Sequence, residues 1–155
     1  MTTFITGGAS KTGRALARRL VASSHPVLFG VRKTPVPDSL GPSVKFDWSD
    51  SSTFSNPFEF TSASTDSDTK LPSKIENVYL LAPIADVDPI VKMKPFIDLA
   101  VEKGVKRFVF LSSSASRKGE GARELGGVHT YLDELKVEKL KGGVEVEYVV
   151  LRPTW

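Results

Sequence analysis

The chain has 155 residues, 40% of them hydrophobic and 25% charged, an ordinary globular composition that sets it apart from disordered, collagenous and membrane-spanning classes. Lys and Arg number 21 against 18 Asp and Glu, and this formal charge of +3 is scattered along the chain, which argues against a nucleic-acid partner. The absence of cysteine excludes a disulfide scaffold, a thiolate metal site and a thiol nucleophile. No apolar run approaches the about 18 residues of a membrane span. The opening Met1-Thr2-Thr3-Phe4-Ile5-Thr6 lacks the charged and apolar regions of a secretory signal. The expectations are one domain over residues 1–155, no membrane contact and a cytoplasmic location.

Residues 3–6 are β-prone and stop at Gly7-Gly8. Gly13, Leu16, Ala17, Leu20 and Val21 then recur at helical spacing, which predicts an amphipathic helix from Thr12 to the break at His25-Pro26. Residues 27–31 form a continuous apolar run, as a strand buried on both faces does. Strand, glycine turn, helix and buried strand make a βαβ unit. Val44, Lys45 and Phe46 predict a third strand. The Ser/Thr-rich stretch of about residues 49–74 predicts a surface loop with one poor helical turn between Phe54 and Phe60. Residues 78–82 predict a fourth strand. Ile90, Met93, Ile97, Ala100 and Val101 predict a helix with Pro95 either kinking it or in its first turn, and Lys103-Gly104 ending it. Residues 107–112 predict a fifth strand and residues 113–127 a loop. Val128, Leu132, Leu135 and Leu140 predict a helix closed by Gly142-Gly143, and residues 146–151 a sixth strand. This alternation indicates an α/β fold, a Rossmann-type doubly wound parallel sheet in the order 3-2-1-4-5-6.

The turn Gly7-Gly8-Ala9-Ser10-Lys11-Thr12-Gly13 lies between the first strand and the first helix. Gly7 suits a tight turn, the small Ser10 lets the backbone approach a pyrophosphate, and Gly13 permits close packing of helix and strand. The helix start offers free N–H groups and partial positive charge to phosphates. Lys11 and Thr12 lie in the same turn. Dinucleotide sites that prefer a free ribose 2′-OH carry an acid about 20 residues beyond the glycines. Here no Asp or Glu occurs between Arg14 and Pro37, and Arg32-Lys33 stands in that place. Two cations suit a 2′-phosphate, so NADP(H) is the expected cofactor. Asp47, at the end of the third strand, is placed either to accept from an adenine amino group or to cap the turn that follows. Ala82 and Pro83, and Ser113, follow the fourth and fifth strands, edges that line the nicotinamide half of such a site.

These motifs, with the segments Val44-Lys45-Phe46-Asp47-Trp48, Val78-Tyr79-Leu80-Leu81-Ala82-Pro83, Val128-His129-Thr130-Tyr131-Leu132 and Leu151-Arg152-Pro153-Thr154-Trp155, and with residues 96–109, resemble one group. It is the fungal NmrA-like, atypical short-chain dehydrogenases of ergot alkaloid biosynthesis, the festuclavine and agroclavine dehydrogenases. The resemblance covers nearly the whole chain but only the N-terminal half or so of a typical member. It implies a Rossmann fold, NADP(H), and hydride transfer to an iminium or conjugated bond of a small alkaloid intermediate such as an indole alkaloid. Two departures stand out. Ser10 replaces the family's middle glycine, and the region that closes over the substrate is expected to be absent, as in a C-terminally truncated member.

Ordinary short-chain dehydrogenases pair a tyrosine with a lysine four residues on. Tyr131 is followed at that spacing by Leu135, with Lys136 one position too far, and Tyr79 and Tyr148 read as core, so no catalytic residue is assigned. An iminium is already cationic and accepts hydride without a proton donor. His25 and His129 stand too far apart in sequence to indicate a metal site. Two other readings stay open: a non-catalytic NADP(H) sensor of the NmrA-like kind, and an inactive truncated remnant.

Overall fold

The computed structural model describes residues 1–33, 36–60, 74–83, 87–114 and 125–154. Its strands are β1 (Thr2–Ile5), β2 (Val27–Val31), β3 (Ser43–Lys45), β4 (Ile75–Leu81), β5 (Arg107–Leu111) and β6 (Glu147–Leu151). Its α-helices are α1 (Lys11–Ala22), α2 (Asn56–Glu59), α3 (Pro89–Glu102) and α4 (Leu125–Lys141). The strands form one six-stranded sheet in the order β3-β2-β1-β4-β5-β6, as the alternation predicts, and the pairs β1/β2, β2/β3 and β5/β6 are parallel. This is the Rossmann-type doubly wound arrangement. No helix among the described residues is long and apolar enough to cross a membrane. The chain divides into two compact units, Met1–Val78 and Tyr79–Trp155.

The first unit is built on Phe4, Ile5, Leu28 and Phe29, all fully buried. The face that α1 buries is narrower than the predicted stripe. Gly13 and Ala17 are buried, Leu16 and Leu20 are half-buried, and Val21 is 40% exposed. The helix ends in a Schellman motif in which Ser24 adopts φ 59°, its N–H donates to Val21 O at 2.9 Å, and His25 N–H donates to Leu20 O at 2.9 Å. Pro26 then prevents any further turn.

The stretch read as a surface loop carries the single helical turn expected between Phe54 and Phe60, which is α2 at Asn56–Glu59, but its start packs rather than standing on the surface. Residues 51–53 form a 3-10 turn and α2 follows directly. Phe54 and Thr53 are buried, and the Phe46 ring lies 4.8 Å from that of Trp48 and 5.5 Å from that of Phe54. The Ser/Thr content hid this cluster: aromatic residues at 46, 48 and 54 have no regular period, yet each buries a large apolar area. Residues 61–73 of the expected loop lie outside the described residues.

In the second unit α3 and α4 pack against each other, with Met93, Phe96, Ile97, Ala100 and Leu132 buried. Pro89 fills the first helical position of α3, where a missing N–H costs nothing, whereas Pro95 lies inside the helix on its exposed side. Gly104 and Gly143 take φ of 90° and 75° and close α3 and α4 with Schellman bonds from Val105 N–H to Ala100 O and from Val144 N–H to Lys139 O, both 2.9 Å. Two expectations change. Gly126 and Gly127 belong to α4 rather than to the preceding loop, and Leu140 is 65% exposed while Val128, Leu132 and Leu135 carry the buried face. Tyr79 is core, as expected, but Tyr148 is only half-buried.

Candidate functional site

The first unit brings Gly7, Gly8, Ser10, Lys11, Thr12 and Gly13 into one turn between β1 and α1. Gly7 has φ 64°, a backbone geometry that favours glycine. The other two glycines are small because the protein itself approaches them. A Cβ on Gly8 would lie 2.5 Å from Phe29 Cδ1, and one on Gly13 would lie 2.9 Å from Gly7 O. Gly13 therefore seats the helix start against the turn itself, where the motif reading had it pack helix against strand, and Gly8 packs on β2 and donates its N–H to Gly30 O at 3.0 Å.

Ser10 is the N-cap of α1, its Oγ accepting from Gly13 N–H at 2.9 Å. A hydroxyl has one proton and two lone pairs, so the cap leaves the proton able to donate. Thr12 Oγ1 stands 3.3 Å from Ser10 Oγ. The backbone N–H groups of Ala9, Lys11 and Thr12 have no protein acceptor among the described residues. Those donors, at the positive end of a 12-residue helix, are what an anionic oxygen needs. Arg14, in the same first turn, has a buried Nε with no protein partner among the described residues. Sequence reasoning named Arg14 only as one end of the stretch without Asp or Glu. The available signal was a cation one residue beyond the last glycine.

Gly30 is a second residue that the sequence reading passed over. A Cβ there would lie 2.8 Å from the Phe4 ring and 2.9 Å from Phe46 Cβ. Its signal was a glycine within an otherwise apolar strand. Arg32 and Lys33 follow β2 and are exposed. Asp47 follows β3, which is tied to the end of β2 by the bond from Phe46 N–H to Val31 O at 2.9 Å. Asp47 Oδ1 accepts from Ser49 N–H at 2.9 Å, and Asp47 N–H donates to Thr53 Oγ1 at 3.0 Å. One carboxylate oxygen thus serves the turn-capping role that the sequence left open.

In the second unit Ala82 and Pro83 stand half-buried after β4, and Ser113 half-buried after β5. Ser112 is buried, and its N–H donates to Leu151 O at 2.8 Å. Tyr131 does have a lysine beside it, from another helix. Lys94 Nζ donates to Tyr131 Oη at 3.1 Å and to Asp98 at 2.7 Å, and lies 4.5 Å from the tyrosine ring centroid. The phenol in turn donates to Asp98. Burial, and then that bond to Asp98, push the Tyr131 phenol up to about 12. A proton donor at neutral pH needs the opposite shift, so this cluster binds α3 to α4. Tyr148 Oη donates to Asp133 Oδ1 at 2.8 Å, and burial followed by this bond pushes its phenol up to about 12 as well. The His129 ring lies edge-on to Tyr148, with centroids 6.0 Å apart.

No family model matches the chain. It is 39% identical over 155 residues to festuclavine synthase I of Penicillium roqueforti, covering 100% of this chain and 48% of that protein. It is 35% identical over 159 aligned positions to agroclavine dehydrogenase of Claviceps fusiformis, covering 100% of this chain and 47% of that one. Among solved structures, yeast methylglyoxal/isovaleraldehyde reductase Gre2 complexed with NADPH superposes with a TM-score of 0.70 at 16% identity, over 100% of this chain and 55% of that one, which shows the shared fold. By sequence the chain is a full-length match to festuclavine and agroclavine dehydrogenases, whose own length it spans by about half.

Proposed function

We propose that residues 1–155 act as an NAD(P)-binding domain that holds NADP(H), and that the chain serves an oxidoreductase of the ergot alkaloid dehydrogenase type. The observation that carries this reading is the turn at residues 7–13: a capped helix start with three backbone donors lacking protein acceptors among the described residues, followed in the first turn of α1 by Arg14, whose Nε is buried without a protein partner among them. The dinucleotide, when bound, supplies the hydride. The amides of Ala9, Lys11 and Thr12, with the Ser10 hydroxyl, would hold the pyrophosphate, and Lys11 and Arg14 would add positive charge. Arg32 and Lys33 would hold the 2′-phosphate, and Asp47 the adenine amino group through its second carboxylate oxygen. Ala82, Pro83 and Ser113 would line the nicotinamide side.

The names of the relatives, a festuclavine synthase and an agroclavine dehydrogenase, support a small-molecule alkaloid substrate; reduction at an iminium or conjugated bond is what the family resemblance implies. No phenol is poised to give a proton, and a cationic electrophile needs none.

Calorimetry with NADPH and NADH, followed by nicotinamide absorbance with an iminium alkaloid, tests the reading. NADPH is expected to bind more tightly than NADH, and Arg32→Glu/Lys33→Glu to remove that preference by at least tenfold. Equal binding of both cofactors to the unaltered chain refutes the NADP(H) assignment. NADPH binding without turnover favours the sensor reading.

A further inference from the structure

Asp88 stands in the connection from β4 to α3, at the carboxyl edge of the sheet. It occupies the N-cap position of α3 yet makes no capping bond. The residue is half-buried, and its Oδ1 is buried with no hydrogen-bond partner among the described residues. The other described acids of the second unit are either engaged or remote from this edge. Asp98 holds Lys94 and Tyr131, Asp133 accepts from Tyr148, and Glu147 pairs with Arg107. Glu102 ends α3, Glu134 and Glu138 lie in the later half of α4, and Glu145 precedes β6. Among the described residues, Asp88 is therefore the one acid that this unit sets at the carboxyl edge.

A buried carboxylate oxygen without a donor costs free energy until a donor or a cation meets it. Ligands of open α/β sheets bind outside the carboxyl ends of the strands, and Asp88 follows Ala82 and Pro83, the residues proposed to line the nicotinamide side. Val87 and Val91, on either side of it in the chain, are 69% and 67% exposed, so an apolar body with one positive charge finds both kinds of contact there. We infer that Asp88 is the counter-ion of a cationic nitrogen in the substrate, and that it selects organic ammonium or iminium cations over neutral molecules of the same shape. This rests on the dinucleotide reading, which puts hydride delivery at this edge. Hydride arrival discharges an iminium, so a carboxylate attracts the bound substrate more than the transition state. Asp88 accordingly holds and selects the substrate rather than accelerating the step.

The test compares tryptamine, whose ammonium is charged at neutral pH, with tryptophol, its neutral hydroxyl counterpart. Each is titrated into the NADPH-loaded chain and followed by amide NMR shifts. Tryptamine is expected to bind at least tenfold more tightly and to shift the amides of Asp88 and Val91. Asp88→Asn is expected to erase that preference, and Asp88→Glu, which keeps the charge, to retain at least threefold of it. Asn caps a helix as well as Asp does, so the Asp88→Asn melt is expected to match that of the unaltered chain, and a role confined to the helix start would leave the preference intact. Equal binding of the two probes to the unaltered chain overturns the inference, and so does a preference that survives Asp88→Asn. Calorimetry with NADPH keeps the two readings apart. Asp88→Asn is expected to leave NADPH affinity unchanged. NADPH binding without a preference for the cation overturns this inference alone, whereas no NADPH binding by the unaltered chain removes the dinucleotide reading and this inference with it.

Discussion

Gly8 and Gly13 share one motif but answer to different neighbours. Gly13 faces the turn's own backbone, while Gly8 faces the Phe29 ring. Gly8→Ala forces an added methyl into a fully packed core, and overpacking of this kind costs about 1–3 kcal/mol. Urea unfolding is expected to show that loss, and the same substitution to cost less in a Phe29→Ala background, which lacks the ring atoms at 2.5 and 3.0 Å. The two tyrosines make a separate prediction in alkali. Unfolded phenols ionise near pH 10, whereas Tyr131 and Tyr148 are held up to about 12 in the fold. Between these values the folded chain retains more protons than the unfolded one. The associated stability is therefore complete below about pH 10 and is lost as pH rises toward about 12. Denaturation midpoints from pH 8 to 11 are expected to fall above about pH 10. Tyr131→Phe and Tyr148→Phe are each expected to flatten that fall and to cost about 1 kcal/mol at neutral pH. A steeper fall in either variant contradicts the assignment.

At the scale of elements, α1 joins a structural cap to a proposed anion site through one side chain. Ser10→Ala removes the acceptor for Gly13 N–H and is expected to cost about 1 kcal/mol, as lost N-caps do. Ser10→Asp keeps a good capping oxygen but sets a negative charge where phosphate is proposed to lie. Its melting temperature is expected to stay near that of the unaltered chain while NADPH affinity drops at least tenfold. If Ser10→Asp binds NADPH as well as Ser10 does, the turn does not hold the pyrophosphate. The other helices show what periodicity reads well and where it fails. Apolar spacing located α3 and the buried face of α4, because burial against a neighbour needs a helical stripe. It overextended two stripes at exposed ends, at Val21 in α1 and Leu140 in α4, because an exposed apolar residue fits the same spacing. Pro95 was ambiguous for a related reason. Proline suits a helix start, and only the placement of Pro89 at the first position shows that Pro95 lies within.

At the scale of the molecule, proposed cofactor binding acts through mass action. A ligand that binds only the folded chain, present at about a hundredfold its dissociation constant, adds about 2.7 kcal/mol of stability. NADPH at that level is expected to raise the urea midpoint accordingly, and NADH at equal concentration to raise it less. An unmoved midpoint counts against binding by the folded chain. The residue order alone determined the strand sequence, the glycine turn, the cationic pair after β2 and the helix stops. Each is a local matter of side-chain period, backbone freedom or hydrogen-bond supply within a few neighbouring positions. The tertiary structure alone decided that the start of the Ser/Thr-rich stretch packs, with Phe54 against Phe46. It decided also that Tyr131 takes its lysine from α3, 37 residues earlier. Those outcomes depend on groups distant in the chain meeting in space, and a one-dimensional pattern carries no record of which distant groups will meet.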